Sequence, residues 1–446
     1  NADKKETLKS PGNIFFGWWL TLAGGLLCLW GYAYQAYGFS ALFKPISQEL
    51  GFTRAKMSIA ASLTRFEGGL EAPLVGYLAD RYGPRIIVFA GVATAGLGLI
   101  LMYFVNSLWS FLLVWSVICA TGINISLGMP LDVAITNWFV RKRGTAMSIR
   151  WVFSGLSGVI GLPLVAWLIV AYGWRMACVV GGVVMLAVGL PLVWVFIKSK
   201  RPEYYGLLPD GAVIESEDPE DALRAGEEYA AQAGEVEFTT QQALKTSVFW
   251  LLIAAYMFHG ALYPVMGIHI IPFLTDRGME PLRAAATMSI YVTASIPARF
   301  LGGLIVDRVG TAVIRYVMAG AFFLQAAGVI VFLFNQQSNI ALYTFFILYG
   351  VGMGAAMPMT PVIRARYFGR ASFGAIAGLS RALNMPVGVI GPIAAGWIYD
   401  STGSYITAFF LFAIMLTVSA LVMTIIRPPK LPAQTGELRA QTISVR

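Results

Sequence analysis

Long apolar stretches recur along the whole chain, and they restrict the fold more than any other feature of the sequence. A helix needs about 20 apolar residues to cross a bilayer, and backbone polar groups inside lipid must be satisfied within the helix itself. The sequence therefore predicts an all-α membrane protein with twelve transmembrane helices. The predicted spans are 15–37, 57–79, 86–105, 108–130, 145–171, 175–197, 248–273, 285–306, 313–334, 340–362, 374–397 and 404–426.

The charge composition excludes several other classes of protein. Only 12% of the 446 residues are charged, against about 25% in soluble globular proteins. This shortfall excludes a conventional cytosolic enzyme, a disordered regulator and a secreted disulfide scaffold. A net charge of +9 is compatible with nucleic-acid binding, but the basic residues lie mostly in loops between apolar runs. Their distribution favours a membrane protein with basic loops over a DNA-binding protein.

The basic residues are distributed unevenly among the predicted loops. With the N-terminus placed in the cytoplasm, 22 of the 32 Lys and Arg residues lie on the cytoplasmic side, six lie outside and four lie within spans. Because cytoplasmic loops carry an excess of Lys and Arg, both termini are predicted to be cytoplasmic. The segment before the first span is polar and Lys-rich, and no small-residue cleavage site closes the apolar stretch that follows it. We therefore expect the first span to remain, in a multi-pass protein of the cell (inner) membrane.

A repeated motif divides the chain into two related halves. The run Gly76–Gly83 recurs as Gly303–Gly310 at an offset of 227, and Met129-Pro130 recurs as Met357-Pro358 at an offset of 228. Two six-helix units around a central cavity are typical of alternating-access transporters. The polar stretch between them holds 11 of the 23 acidic residues, and we expect it to be solvated, with one short surface helix. The predicted N-terminal bundle, cytoplasmic linker and C-terminal bundle with its cytoplasmic tail are 1–197, 198–247 and 248–446.

The stretch from Gly76 to Arg85 reads Gly-x-Leu-x-Asp-Arg-x-Gly-x-Arg. It resembles the loop 2–3 signature of the major facilitator superfamily, and Asp307 stands in a second, weaker copy. The resemblance implies the major facilitator fold, two pseudo-symmetric six-helix bundles. A charge cluster of Asp80 with nearby bases at the cytoplasmic helix ends can lock one state of a transporter. The predicted gating residues are Asp80, Arg81, Gly83, Arg85, Asp307 and Arg308.

Further motifs are similar to those of the monocarboxylate transporters and of the bacterial oxalate–formate antiporters. They are Gly17-Trp18-Trp19, Asn137-Trp138-Phe139, Arg141-Lys142-Arg143-Gly144, Thr246-Ser-Val-Phe249-Trp250 and Pro297-Ala-Arg299. The resemblance implies transport of small carboxylates with a proton or by exchange, and it implies that Arg299 holds a substrate carboxylate. Two positions depart from the monocarboxylate transporters, which have an Asp at the position of Ser295 and a Lys at that of Tyr37.

Ionisable side chains inside the predicted spans are costly in a bilayer and mark functional sites. Arg299 in span eight and Arg381 in span eleven carry guanidinium groups, which stay charged when buried and can hold a carboxylate by two parallel hydrogen bonds. The resembling oxalate carriers have a Lys close to the position of Arg381. We therefore expect an organic anion in a cavity near both side chains. The predicted substrate-binding residues are Arg299, Arg381, Tyr34, His259, Asn384, Tyr263 and Asn124.

Span two contains Arg65, Glu67 and Glu71. Glu67 and Glu71 are four residues apart and share one helix face, so we predict that the three residues couple transport to a proton. The alternative is that Arg65 pairs with a carboxylate and fixes the helix packing. Arg150 in span five lies closer to the interface and stays open between a substrate ligand and a side chain that extends to the cytoplasmic phosphates. Asp132 is expected to be an interfacial cap or a partner of nearby bases.

The leading prediction is a secondary transporter of a small organic anion, a monocarboxylate such as lactate or pyruvate, by proton symport. A dicarboxylate- or formate-type anion exchanger is the alternative, and a proton-coupled efflux pump is disfavoured because four in-span Arg outnumber the two central Glu. Without a nucleophile elbow, a metal-ligand cluster or an ATP-binding loop in the sequence, no enzyme activity, metal or cofactor is predicted. The expected partners are a small carboxylate, a proton or counter-anion and the lipid bilayer; no nucleic acid is expected, and the chain is predicted to be a monomer.

Overall fold

The protein, described by a computed structural model over residues 14–212 and 219–430, is helical and has no strands in these ranges. Twelve helices follow the twelve predicted spans, and Gly173, with φ of 79°, separates the fifth from the sixth. The helices are α1 (Phe16–Leu50), α2 (Arg54–Tyr82), α3 (Pro84–Phe104), α4 (Leu108–Trp138), α5 (143–172), α6 (174–196), α7 (Ser247–Asp276), α8 (Pro281–Arg308), α9 (Ile314–Phe334), α10 (Asn339–Phe368), α11 (Phe373–Thr402) and α12 (Ile406–Ile425).

The described chain contains ten helical stretches that are long and apolar enough to cross a membrane. One of them, Arg143–Phe196, comprises both α5 and α6, and α2 is not among the ten because three charged side chains lie at its centre. These two facts reconcile the ten stretches with the twelve predicted spans. The chain is therefore a multi-pass membrane protein, in which α1 and α4 extend beyond their predicted ends at 37 and 130.

Local sequence signals explain the tight connection between α2 and α3. Thr53 caps the start of α2 by accepting a hydrogen bond from the backbone N–H of Lys56 at 3.3 Å. Gly83 ends α2 with φ of 84°, a conformation that favours glycine. Pro84 then opens α3, where its missing N–H is not needed. This loop lies at the end of the bundle against which the segment between α6 and α7 packs, which we call the linker side.

The two halves of the chain contact each other through two equivalent helix pairs, α2 with α11 and α5 with α8. In the first pair, a Cβ atom on Gly76 would overlap the carbonyl oxygen of Gly374. In the second pair, a Cβ atom on Gly303 would overlap the carbonyl oxygen of Gly144. Glycine allows helices to approach this closely. The equivalence of the two pairs confirms the internal repeat that the sequence predicted.

An apolar core at the linker side joins residues of both halves. Trp138 at the end of α4 packs against Phe15 and Phe16 at the start of α1, with ring centroids 5.7 and 5.4 Å apart. In the second half, Phe249 of α7 and Phe368 of α10 make the corresponding contact at 6.3 Å. These aromatic contacts fix the ends of α4 and α10, and thereby the loops that follow them.

The segment between α6 and α7 packs against the linker side instead of being solvated throughout. It contains a helix at Pro219–Gln232, as predicted, and a second one at Thr240–Leu244. Glu203, Asp210 and Phe238 are only 2%, 6% and 1% exposed. The prediction of a solvated linker is wrong at these positions, because their side chains or backbone groups bind the loops that follow α4 and α10.

Candidate functional site

Arg299 lies in α8 where this helix packs against α5, and it is only 2% exposed. Its Nη1 donates to the carbonyl oxygen of Trp151 at 2.7 Å, and its Nη2 donates to Ser295 Oγ at 3.3 Å. Its Nε is buried without a hydrogen-bond partner. Arg299 takes part in none of the ion pairs found within residues 14–212 and 219–430. A buried charge without a counter-charge is costly, so this site is suited to an external anion.

Ser295 explains why Arg299 has no acidic partner from its own helix. The Ser295 hydroxyl lies one turn before Arg299 and donates to the carbonyl oxygen of Val292 at 2.6 Å, which leaves its oxygen to accept from the guanidinium. A hydroxyl group carries no charge and cannot neutralise Arg299. The departure from the monocarboxylate transporters at this position therefore leaves the positive charge available to a ligand.

Arg381 extends from the middle of α11 towards the first bundle, and its side chain is exposed. Its Nη2 donates to Asn124 Oδ1 at 2.9 Å. A Cβ atom on Gly68 would lie 3.2 Å from Nη2, and a Cβ atom on Gly128 would lie 3.1 Å from Nη1. The guanidinium therefore packs against the backbone of these two glycines. A charged group exposed in the middle of a span is not compatible with lipid contact. The predicted water-accessible chamber between the bundles would therefore lie beside Arg381.

Two carboxyl groups of α2 complete a polar cluster beside Arg381. Glu67 accepts hydrogen bonds from Thr121 Oγ1 and, at 3.3 Å, from Asn124 Nδ2. Glu71 lies within hydrogen-bonding reach of both Glu67 and Asn124, and its Oε1 is buried without a partner. The structure thus joins four residues that the sequence predicted for two separate tasks, substrate binding and proton coupling.

Arg65 does not join this cluster. Residues two apart on a helix point about 200° from each other, so Arg65 and Glu67 lie on different faces of α2. Arg65 is exposed, it has electrostatic contact with Tyr263 of α7, and it belongs to no ion pair in the described part of the chain. The alternative that Arg65 pairs with a carboxylate is therefore wrong for the described residues, and its role in proton coupling stays a prediction.

Two predicted ligands are buried in contacts within the protein. Tyr34 is 1% exposed, and its hydroxyl donates to the carbonyl oxygen of Ala177 at 2.8 Å. His259 Nε2 lies 3.1 Å from Gln325 Nε2, and the imidazole stacks on Phe322 with ring centroids 4.2 Å apart. These contacts favour a structural role for both side chains, because each has its polar group engaged by a neighbouring helix.

Two other predicted ligands have polar groups that are free to bind. Tyr263 of α7 is 47% exposed. Asn384 of α11 donates to the carbonyl oxygen of Ser380 at 2.7 Å, while its Oδ1 is buried without a partner. Tyr37 lies close to the α5 backbone, because a Cβ atom on Gly158 would meet its ring at 2.9 Å. Tyr37 and Tyr263 are also in electrostatic contact, so α1 and α7 both supply a hydroxyl to one region.

Arg150 precedes Trp151 on α5 and is 1% exposed. Its Nη1 pairs with Asp132 Oδ1 at 2.7 Å, and its Nη2 donates to the carbonyl oxygens of Leu127 and Gly128. The guanidinium is thus neutralised by an acid of α4 and has no capacity left for a substrate carboxylate at these two nitrogens. The structure assigns Arg150 a structural role, and it confirms Asp132 as the partner of a nearby base.

Asp80 and Asp307 each bind the start of a helix from the opposite bundle at the linker side. Asp80 accepts from two backbone N–H groups at the start of α11, at 2.9 and 2.7 Å. Asp307 accepts from two backbone N–H groups at the start of α5, at 2.6 and 2.7 Å. A helix N-terminus carries partial positive charge, so both contacts stabilise the closed linker side.

The basic gating residues do not pair with these carboxylates. Arg81 Nη1 donates to the Tyr77 hydroxyl at 2.6 Å. Arg85 Nη2 donates to the carbonyl oxygen of Trp194 at 2.6 Å and lies 4.1 Å above its ring centroid. Arg308 is exposed. The hydrogen-bond donors of Asp80 are therefore the helix end of the other bundle and not these bases. Arg201 of the linker is in electrostatic contact with Asp80, so the gating role of a charge cluster here stays a prediction.

Buried ion pairs between the linker and both bundles were not predicted from the sequence. Glu235 accepts from Arg143, which opens α5, at 3.0 Å and lies 3.4 Å from Arg370, which precedes α11. Glu203 pairs with Arg370 at 3.3 Å. Burial lowers the pKa of Arg370, but the Glu235 and Glu203 carboxylates outweigh burial and hold this pKa above its ordinary value. The signal available in the sequence was an acidic linker between two basic loops.

Asp210 fixes the linker to the loop between α4 and α5. Its carboxylate accepts from the backbone N–H groups of Val140, Arg141 and Lys142, of which the last two lie at 2.8 and 2.9 Å. The hydroxyl of Tyr229 also donates to it at 3.1 Å. Burial, with the charge of Asp210, raises the pKa of Tyr229 to about 12, which keeps this hydroxyl protonated as a donor.

The sequence matches the Major Facilitator Superfamily over residues 25–388 and 314–445. Monocarboxylate transporter 13 of Rattus norvegicus is 24% identical over 373 residues, which cover 83% of this chain and 80% of that protein. The probable sulfoacetate transporter SauU of Cupriavidus necator is 25% identical over 420 residues, which cover 91% of this chain and 93% of that protein.

The solved structure of the proton:xylose symporter XylE, bound to 6-bromo-6-deoxy-D-glucose, is similar to this chain. The TM-score is 0.71 at 15% sequence identity, and the match covers 92% of this chain and 96% of the symporter. At this identity the likeness concerns the fold alone. It confirms the predicted architecture of two six-helix bundles.

Proposed function

Because the chain belongs to the major facilitator superfamily, a family of membrane transporters and not of enzymes, we propose that it carries a small organic anion across the cell membrane. The proposed substrate is a monocarboxylate such as lactate or pyruvate, moved with a proton by alternating access. The printed names of two relatives, a monocarboxylate transporter and a probable sulfoacetate transporter, support an acidic organic substrate. The observation that carries the proposal is the buried guanidinium of Arg299, which has no acidic partner among the residues that the structure describes.

Arg299 supplies both affinity and a link to conformational change. A substrate carboxylate would accept hydrogen bonds from its free Nε and from Nη2, and each such charge-assisted bond contributes about 1.5–3 kcal/mol. Its Nη1 is bonded to Trp151 of the opposite bundle at 2.7 Å. An anion that draws the guanidinium away from this carbonyl oxygen weakens a contact between the bundles, which is the contact that must break when they rock.

The proposed orientation places the linker side in the cytoplasm, as the distribution of Lys and Arg predicts. The Asp80 and Asp307 contacts and the Glu235 ion pairs close that side. Arg381 and Tyr263 are nevertheless exposed at the middle of the bundle. In the proposed orientation, water would reach them from the opposite side, which supports an outward-facing state as part of the proposal.

The proposed proton site is the pair of carboxyl groups on α2. Glu67 and Glu71 are one helical turn apart, and two adjacent carboxylates repel each other until one of them binds a proton. Arg381, Asn124 and the chamber lie beside them. A proton taken up here from the open side would travel with the anion when the bundles rock.

A second candidate function is anion exchange of the dicarboxylate or formate type. It is favoured by Arg381, because a second guanidinium in the chamber suits the distal carboxylate of a dicarboxylate. Exchange requires an anion on both sides of the membrane and no proton gradient, so the two functions differ in an observable way.

Uptake into proteoliposomes tests the proposal. Labelled lactate and pyruvate are supplied outside, with or without an alkaline interior, and in a second series the vesicles contain unlabelled anion. Symport predicts uptake that the pH gradient drives, whereas exchange predicts uptake that the internal anion drives. Arg299→Gln is expected to reduce uptake to the level of empty vesicles, because it removes the guanidinium that holds the carboxylate.

Arg283→Gln is the matched control, because Arg283 lies on the same helix and is exposed. It removes one positive charge from α8 without touching the α5 interface, so uptake should equal that of the unsubstituted chain. Unchanged uptake by Arg299→Gln, or an equal loss in both variants, would refute the proposed role of Arg299.

A further inference from the structure

The side chain of Asn124 bridges the two parts of the polar cluster. Its Oδ1 accepts from Arg381 Nη2 at 2.9 Å, and its Nδ2 donates to Glu67 Oε2 at 3.3 Å. Both contacts use the single amide group, so Asn124 connects a carboxyl group of α2 in the first bundle to a guanidinium of α11 in the second.

The chemistry of the three groups fixes the orientation of this amide. A carboxylate only accepts hydrogen bonds and a guanidinium only donates them, whereas an amide has one end of each kind. While Glu67 is ionised, the amide of Asn124 therefore points its NH₂ group at Glu67 and its oxygen at Arg381. Hydrogen bonds in such a chain polarise and strengthen one another, so ionised Glu67 holds Arg381 against α4.

Protonation of Glu67 reverses this effect. A neutral carboxyl group attracts the amide NH₂ less, so the polarisation of the Asn124 oxygen falls and its bond to Arg381 weakens. Among the described residues, Glu71 on the same helix faces Glu67, and Arg381 on α11 is in electrostatic contact with Glu71. The groups of α4 that bond to Glu67 are the neutral Thr121 and Asn124.

On the other side, Arg381 is also in electrostatic contact with Tyr32 of α1 and Asp132 of α4. Asp132 is already paired with Arg150, which stabilises its ionised form. The carboxyl groups of α2 are therefore the ones near Arg381 that can gain or lose a proton.

We propose that Asn124 is a positioning residue that couples protonation of Glu67 to anion binding at Arg381. It passes the charge state of the carboxyl group to the guanidinium, which is held by Asn124 when Glu67 is ionised and released to the anion when Glu67 is protonated. Proton and anion then bind with positive cooperativity, and by linkage each raises the affinity for the other. This inference rests on the proposed function and adds the residue through which the two ligands communicate.

The test measures anion affinity as a function of pH on the purified full-length chain. Thermal stabilisation by lactate, pyruvate, oxalate and sulfoacetate is titrated at one pH below and one pH above neutrality, which gives an affinity ratio for each protein. The unsubstituted chain should bind the anion about tenfold more tightly at the lower pH, within the usual range of coupling between sites.

Three variants and a control identify the coupling residue. Asn124→Leu, which has similar volume but no amide, should bring the affinity ratio close to one. Glu67→Gln, which imitates the protonated acid, should bind tightly at both pH values, and adding Asn124→Leu to it should change the affinity less than twofold, by the logic of a double-mutant cycle. Where Asn124→Leu does not fold, Asn124→Ser, polar but too short to bridge, replaces it.

Ser126→Ala is the control, because this buried serine lies on the same helix and its hydroxyl donates to the carbonyl oxygens of Gly122 and Ile123 in that helix. It should keep the ratio of the unsubstituted chain. If Asn124→Leu or Glu67→Gln still binds the anion about tenfold more tightly at the lower pH, the proposed coupling is overturned, while the proposed function is left intact. A ratio of one in the unsubstituted chain would also overturn it. If no anion of the panel binds at either pH, the proposed function itself fails.

Discussion

Arg150 of α5 and Arg299 of α8 are both buried but have opposite electrostatic surroundings. Arg150 is 1% exposed and paired with Asp132 at 2.7 Å. Arg299 is 2% exposed and bonded to the carbonyl oxygen of Trp151, the residue next to Arg150, without an acidic partner in the ranges that the structure covers. Burial alone therefore does not distinguish a structural arginine from one that awaits a ligand; the presence of a protein carboxylate does.

The difference also separates stability from function. Removing one member of a buried ion pair leaves the other charge unpaired, which destabilises the fold. Removing a buried charge that has no ion-pair partner relieves a desolvation cost and leaves no opposite charge unpaired. Arg150 should therefore matter chiefly for folding, and Arg299 chiefly for anion binding.

The largest expected effect is the loss of stability in Arg150→Gln. This substitution leaves Asp132, whose side chain is 16% exposed, without its ion-pair partner, at a cost of up to about 3–5 kcal/mol. The double variant Arg150→Gln with Asp132→Asn removes both charges and should recover most of the loss. Denaturation of the purified proteins measures both, and a double variant no more stable than the single one would contradict the pairing.

Ser295→Asp should convert the surroundings of Arg299 into those of Arg150. The new carboxylate would neutralise the guanidinium and compete with the anion, so binding should weaken about 100-fold where the Asp is ionised, from the strength of charge-assisted bonds. Acidification should restore binding as the Asp is protonated. The conservative variant Ser295→Ala serves as control, and equal binding by Ser295→Asp and Ser295→Ala above neutral pH would count against the account.

Arg381→Gln should have an intermediate effect on anion binding. Arg381 is exposed and already bonded to Asn124, so water screens its charge and part of its capacity is engaged. We expect a loss of affinity of about tenfold for a monocarboxylate, and a larger loss for oxalate if both arginines bind one dicarboxylate. Titration of the two anions against the same protein measures the difference; identical losses for both would argue against a second carboxylate site.

Arg201→Gln should have the smallest effect. Arg201 faces Glu237 at 3.6 Å, and both side chains are partly exposed, at 27% and 36%. Exposed ion pairs contribute about 0.2–1 kcal/mol, so the melting temperature should barely change. A loss of stability as large as that of Arg150→Gln would mean that exposure does not determine how much these ion pairs contribute to stability.

The sequence predicted much of this architecture because membrane helices follow from long apolar runs and because the two halves repeat a motif. It also singled out Arg299, Arg381, Glu67 and Asn124, since polar side chains inside spans are rare. It did not predict which of them meet. Arg381 and Asn124 are 257 positions apart, and a single sequence carries no signal for such a contact.

The linker was the main error, and its cause is physical. An acidic, Ala-rich segment has the composition of a solvated chain, and composition does not reveal that Arg143 and Arg370 are buried opposite it. Glu235 pairs with Arg143, and Glu203 pairs with Arg370. Pairing an acidic linker with the basic loops at both bundle ends is the inference that the sequence would have allowed.

A structure of the protein with lactate or pyruvate bound tests the central claim most directly. The account predicts a carboxylate whose oxygens lie at hydrogen-bonding distance, about 2.7–3.0 Å, from Nε or Nη2 of Arg299, with the bond to Trp151 lengthened. An anion bound elsewhere in the chamber, with Arg299 still bonded to Trp151 and Ser295 as in the free protein, would contradict it.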